Sequence, residues 1–261
     1  MAVKNTDSAQ RAQDGVALPI WRDAEFSSQS WLKYFEHNRA NRPVLHMAET
    51  LSFPDKLRLP LIRSLQRFQI GETGEGKHLR RFAKTLGDPD YEQCIDLFIK
   101  EEQSHARILA EMIASLDGTL LDWHWSDVAF IGLRRMMHLK TEVFVLLIAE
   151  IVGKTFYLLC ARQVPNERMA AAFSLIVLDE IAHLEFHCEF LEKHLRNASD
   201  AARYFIYWCW AAMFYAVCFV FVLDHRRTLE SLNVTPRDFV RDCSKAFHRA
   251  ANKALTVREM T

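Results

Sequence analysis

Residues 178–187 read "LDEIAHLEFH", inside a segment that otherwise has the apolar periodicity of a helix. Phe173, Ile176, Phe190 and Leu191 trace one stripe, and Glu180, His183 and His187 fall in it where core side chains belong. A lone Glu-x-x-His arises by chance in a chain this rich in glutamate and histidine, so its meaning depends on partners elsewhere. The segment from Asp88 to Gly118 supplies one. Ile95, Phe98, Ile99, Leu109, Met112 and Ile113 mark its buried stripe, and Glu102 and His105 interrupt that stripe three residues apart. Thirty residues before Glu102 stands Glu72, and thirty before Glu180 stands Glu150, within "FVLLIAEIVGKTFY". The set Glu72, Glu102, His105 therefore repeats as Glu150, Glu180, His183 after a constant shift of 78 residues. A third Glu-x-x-His, Glu75 with His78, has Leu45 at the partner spacing, and His78 turns away from the line of Leu65, Phe68 and Leu79.

An unpaired carboxylate in a core costs several kcal/mol, and four together repel one another unless protonated or neutralised. Two divalent cations carry four positive charges against four glutamates, while two neutral imidazoles add none. Such a set is expected to bind two metal ions. Carboxylate and imidazole donors suit iron or manganese better than a thiolate-seeking metal. The competing reading is a polar network without metal, which is costly whenever incomplete. Glu75 rivals Glu72 and Glu142 rivals Glu150 as ligands, but neither keeps the repeat spacing. His187 sits a turn beyond His183, where the matching position in the other motif helix is Leu109; a hydrogen-bonded core histidine is expected there, with a seventh ligand as the alternative. Tyr157, two turns beyond Glu150, is either packing or a redox neighbour. Glycines 71, 74, 76 and 153 either leave room beside the metals or allow close helix contact.

No stretch alternates like a β-strand, and only eight glycines and seven prolines punctuate the chain. The expectation is an all-α protein with residues 1–20 as a flexible tail and 21–261 as one domain. A short amphipathic helix around "AEFSSQSWLKYFEHNRA" presents Phe26, Trp31, Leu32 and Phe35. A long helix runs from Pro60 to Gly87. The next opens with Asp88 as N-cap and Pro89 in the first turn, and stops near Gly118. A long connection through "LLDWHWSD" leads to a helix over about 127–163; Pro165 separates it from a fourth that ends near Asn197. Extra C-terminal helices fill 199–256, the last starting at Thr235-Pro236.

The chain has 33 basic and 33 acidic residues, so no basic field is available to grip nucleic acid. Six scattered cysteines without a CxxC pair fit buried thiols in a reducing cytoplasm. The start "MAVKNTDSAQRAQDG" lacks an apolar signal region, which argues against secretion. Residues 204–223, "YFIYWCWAAMFYAVCFVFVL", carry no charge over a length that could span a bilayer. The working expectation is a helix buried on all sides, because the tryptophans and tyrosines lie along it and no second span accompanies it; a membrane span is the alternative.

Taken together, these motifs resemble the ferritin-like di-iron carboxylate superfamily, over about residues 60–197. Its four-helix bundle takes one Glu from each of two helices and a Glu-x-x-His from each of the other two. The resemblance implies a bundle with one long crossover and accessory N- and C-terminal helices. It implies Glu72, Glu102, His105, Glu150, Glu180 and His183 as metal ligands. It also implies that Glu101 and Asp179, each just before a motif glutamate, orient a ligand histidine across the bundle. The implied activity is a di-iron oxidase or oxygenase using dioxygen, with manganese or a mixed manganese–iron pair as variants. The Phe, Leu and Tyr residues around the motifs and the aromatic 204–223 segment point to a small apolar or aromatic substrate, the lack of a flavin or haem motif points to an external electron donor, and a homodimer is a candidate assembly. The alternatives are a ferroxidase, iron-storage or peroxide-scavenging protein, and a metal-free helical interaction protein.

Overall fold

The computed structural model describes residues 26–47, 49–74, 76–122 and 142–256. These are helical and include no strand. Helix α1 (Ser28–Asn41) is capped by the Ser27 hydroxyl, which accepts from Ser30 N–H, and buries Trp31 and Phe35. It lies along α4 (Pro89–Ser115), tied there by the Ser28 hydroxyl donating to Asp88 Oδ2 at 2.7 Å. Asp88 also caps α4 by accepting from Tyr91 N–H, as its position before Pro89 implied.

The long helix expected over 60–87 is two helices, α2 (Asp55–Glu72) and α3 (Lys77–Leu86). Gly76 explains the break: its φ is +61°, in the left-handed region, and a Cβ there would collide with the Ile99 side chain. Pro60 lies inside α2 rather than at its start, and its carbonyl accepts from the Thr228 hydroxyl. At the far end of α4 the left-handed residue is Asp117, while Gly118 N–H returns to the Ile113 carbonyl.

Helix α5 (Glu142–Gln163) is followed by α6 (Glu167–Leu195), capped by Asn166. The rest of the expected 127–163 helix and the connection before it fall outside the described residues, as does the 1–20 tail. Helix α2 packs along α4, and α5 along α6; α4 touches α6 and closes the two pairs around one interior. Leu61, Leu65, Ile95, Leu109, Leu147, Ile151, Phe173 and Ile176 fill that interior, all inaccessible to solvent. Each such side chain contributes roughly 1.5–3 kcal/mol by leaving water.

Helix α7 (Asp200–Ser231) does not have the expected position. It packs against α2, α8 (Pro236–Leu255) and α5 on one side and leaves the other in solvent. Only 28% of its most apolar window is buried, against 72% for α5, which is also long and apolar enough to cross a membrane. A helix apolar on every side carries no periodic signal for which face is covered, and among the described residues neighbours pack on one face.

Candidate metal centre

Each half of the repeated motif builds one side of a single cluster. Glu102, Glu150, Glu180 and His183 offer one ligand atom each within 4.8 Å of one another, and so do Glu72, Glu102 and His105. Glu102 belongs to both groups. The four contributing helices supply the spacing: residues three apart on α4 and on α6 point the same way, and the closing of the two helix pairs brings Glu72 and Glu150 opposite them.

The histidines are oriented from outside the cluster. His105 Nε2 lies 3.0 Å from Asp179 Oδ2, and His183 Nε2 lies 2.9 Å from Glu101 Oε2. Each acid thus holds the histidine of the opposite motif helix. With Nε2 engaged, both Nδ1 atoms face the glutamates: His183 Nδ1 is 3.2 Å from Glu102 Oε1 and 3.6 Å from Glu150 Oε2, and His105 Nδ1 is 3.5 Å from Glu102 Oε1 and from Glu180 Oε1. These are charge contacts without hydrogen-bond direction, for Glu102 Oε1, His105 Nδ1, Glu150 Oε2, Glu180 Oε2 and His183 Nδ1 are buried with no hydrogen-bond partner among the described residues.

The electrostatics match this crowding. Burial, then mutual repulsion among the carboxylates, raises the pKa of Glu72, Glu150 and Glu180 above the ordinary value. Burial acts in the same sense on Glu102, but its contacts with His105 and His183 win and hold it well below. For His105 and His183 burial disfavours the charged ring, yet the surrounding carboxylates raise both well above the usual histidine range. A core with this many titratable groups and unsatisfied atoms is strained as it stands. A bound metal ion would relieve both defects, and both groups have the donor atoms to hold one.

Tyr157 reaches the cluster: its hydroxyl donates to Glu72 Oε1 at 2.8 Å, more than packing alone. Glu142 opens α5 eight residues before Glu150, about 12 Å along the helix, and belongs to neither group. Glu75 falls outside the described residues, and His78 is exposed. His187 departs from expectation. It is fully buried, but among the described residues neither ring nitrogen has a hydrogen-bond partner, and it joins neither ligand group. The ring stands edge-on to Phe98 at 5.0 Å and against Phe186 at 4.9 Å, so it fills an aromatic slot as a neutral group, its pKa lowered to about 3 by burial and by the charge of His183.

Sequence reading missed the contribution of α1. Asn38 Nδ2 donates to Glu101 Oε1 at 2.6 Å and to Asp179 Oδ1 at 3.0 Å, joining the two orienting acids, and the Arg42 guanidinium lies 2.5 Å from Asp179 Oδ2. The signal was present: Trp31, Phe35, Asn38 and Arg42 continue one stripe at helical spacing, the same polar interruption that marked Glu102.

A cavity of about 530 Å³ opens beside the cluster. Glu72, Glu102, Glu150 and Glu180 form its floor, and Phe68, Val152, Val217 and Phe221 line apolar walls. Glycines 71, 74, 76 and 153 all border it; a Cβ at Gly71 would project into open space, one at Gly153 would touch Tyr157 and Phe68, and Gly76 instead allows the close approach of Ile99. Its outer wall carries a polar set also missed from sequence: Arg67 Nε pairs with Asp224 Oδ2 at 2.9 Å, and His225 Nδ1 lies 2.8 Å from the Ser64 hydroxyl. No protein-family model, curated protein or solved structure matches the chain.

Proposed function

We propose that the chain is a di-iron, dioxygen-activating oxidase or oxygenase on a ferritin-like four-helix bundle formed by α2, α4, α5 and α6. The observation that carries this reading is the set of five buried, inward-facing ligand atoms that lack a hydrogen-bond partner among the described residues. Glu72, Glu102 and His105 would hold one ion and Glu150, Glu180 and His183 the other, with Glu102 placed to serve both. Bound ferrous ions would supply open coordination positions and the electrons to reduce dioxygen. The protein's part lies in its own residues. Asp179 and Glu101 keep the proton on Nε2 of His105 and His183, leaving Nδ1 as the donor atom. Tyr157 fixes Glu72 through its hydroxyl. Phe68, Val152 and Phe221 give the cavity apolar walls, and its size and lining suit a small apolar or aromatic molecule. An external donor would return the reducing electrons, since the sequence shows no flavin or haem motif.

The test is metal content of protein produced with iron and manganese available, beside Glu180→Ala, with Mössbauer spectra of the iron form. Two metals per chain, lost in the variant, with dioxygen consumed on adding reductant, is the expected result. A folded chain that resists anaerobic ferrous loading would sink the reading. Uptake of many irons per chain would instead favour iron storage.

A further inference from the structure

The solvent-facing side of α7 is apolar from Tyr204 to Leu223. Tyr204, Phe205, Trp208, Tyr215, Phe219 and Leu223 recur at helical spacing and are 44–70% exposed. The stripe runs about 28 Å at 1.5 Å per residue, without a charge, and ends at the exposed Arg226 and Arg227. A continuous apolar surface of this kind marks a docking site rather than ordinary scatter.

Three observations say what covers it. The first is charge: α7 and α8 carry eight basic residues against five acidic ones in a chain whose net charge is zero. Helix α8 borders the stripe, because the Tyr215 hydroxyl lies 2.6 Å from Ser244 Oγ and the Tyr207 hydroxyl 3.2 Å from His248 Nδ1. Arg237, Arg241, Lys245 and Arg249 are exposed on α8 against two acids, Asp238 and Asp242, with which Arg241 and Lys245 pair, so the border keeps a positive excess. An apolar stripe with a basic border complements an anionic lipid surface. The second is composition, since tyrosine and tryptophan favour the boundary between water and hydrocarbon. The third is the cavity: Ala216 and Val220 are exposed on the stripe and also line the space that reaches the glutamates.

We propose that α7 lies flat on an anionic lipid bilayer with its apolar stripe in the hydrocarbon boundary, and that the cavity takes a lipid-soluble substrate from that side. The substrate route rests on the proposed function; the docking does not. A full span does not fit, because the opposite face of α7 is bound to α2 through Ser64, Thr228 and His225, and α2 and α8 expose Arg63, Arg237 and Arg241 alongside.

Flotation of the full-length chain with vesicles of phosphatidylcholine containing about a quarter phosphatidylglycerol tests the docking, on metal-free and iron-loaded protein alike. Wild type should float with these vesicles and bind pure phosphatidylcholine more weakly. The triple variant Phe205→Glu, Phe219→Glu, Leu223→Glu should lose at least about tenfold in partitioning, with melting temperature and iron content unchanged; Phe205→Ser with Phe219→Ser is the milder form should the glutamates disturb folding. Wild type that stays at the bottom of the gradient overturns the proposal. So does a variant that floats like wild type, or a wild-type dimer in sedimentation velocity that the triple variant dissolves while neither binds vesicles. Failure of iron loading leaves the flotation result standing, so the two readings fail separately.

Discussion

Helices α4 and α6 bury glutamate and histidine, whereas α7 exposes phenylalanine, tryptophan and leucine. Both depart from the usual sorting of side chains, in opposite directions. In α4 and α6 the charges interrupt clean apolar stripes, so burial follows from the neighbours in sequence. In α7 no polar face exists to oppose the apolar one, and only the packing of α2, α5 and α8 decides which side meets solvent. A buried charge was therefore legible from periodicity, and an exposed hydrocarbon was not.

The largest expected effect lies within α7 itself. Phe214 is inaccessible and stacks on Phe247 at 4.4 Å, while Phe219 is 66% exposed. Urea unfolding should show Phe214→Ala losing about 3–5 kcal/mol and Phe219→Ala changing stability by no more than about 0.5 kcal/mol. Equal losses would mean the outer face is covered after all. On the other side of the comparison, Glu150→Leu with Glu180→Leu should raise the stability of chelator-treated protein by about 1–4 kcal/mol. A loss there would show the glutamates satisfying one another without metal.

Asn38→Ala tests whether α1 positions the site or merely covers it. Losing the bridge between Glu101 and Asp179 should weaken ferrous binding about 10–100-fold in an anaerobic titration, and Asn38→Asp should not restore it, since a third carboxylate would repel the other two. Unchanged affinity would reduce α1 to packing. The smallest loss expected of an interior contact is Asp88→Ala, which should cost about 1 kcal/mol as a lost N-cap. Partial burial works against the Asp88 carboxylate, but the Ser28 hydroxyl and the Tyr91 N–H hold its pKa below the usual value. Its contribution is accordingly complete above about pH 4, the unfolded aspartate range, and fades as pH falls through the folded value. Thermal melts of wild type and variant should converge there.

From sequence alone came the all-α class, the N-caps at Asp88 and Thr235, and the six residues that the fold gathers into two ligand groups. These are local or periodic features: a cap depends on three adjacent residues, and a buried stripe repeats every turn. The pairing of each acid with the opposite helix's histidine came from the family resemblance, and its distances follow only from how α4 meets α6. The tertiary structure decided the rest. The break at Gly76 depends on the approach of Ile99; the part played by Asn38 depends on α1 lying across helices 63 and 141 residues away in sequence. The aromatic slot of His187 depends on Phe98 from another helix, and the bare face of α7 on how few neighbours reach it. Local chemistry specifies what a side chain can do, and contacts between distant segments decide what it meets.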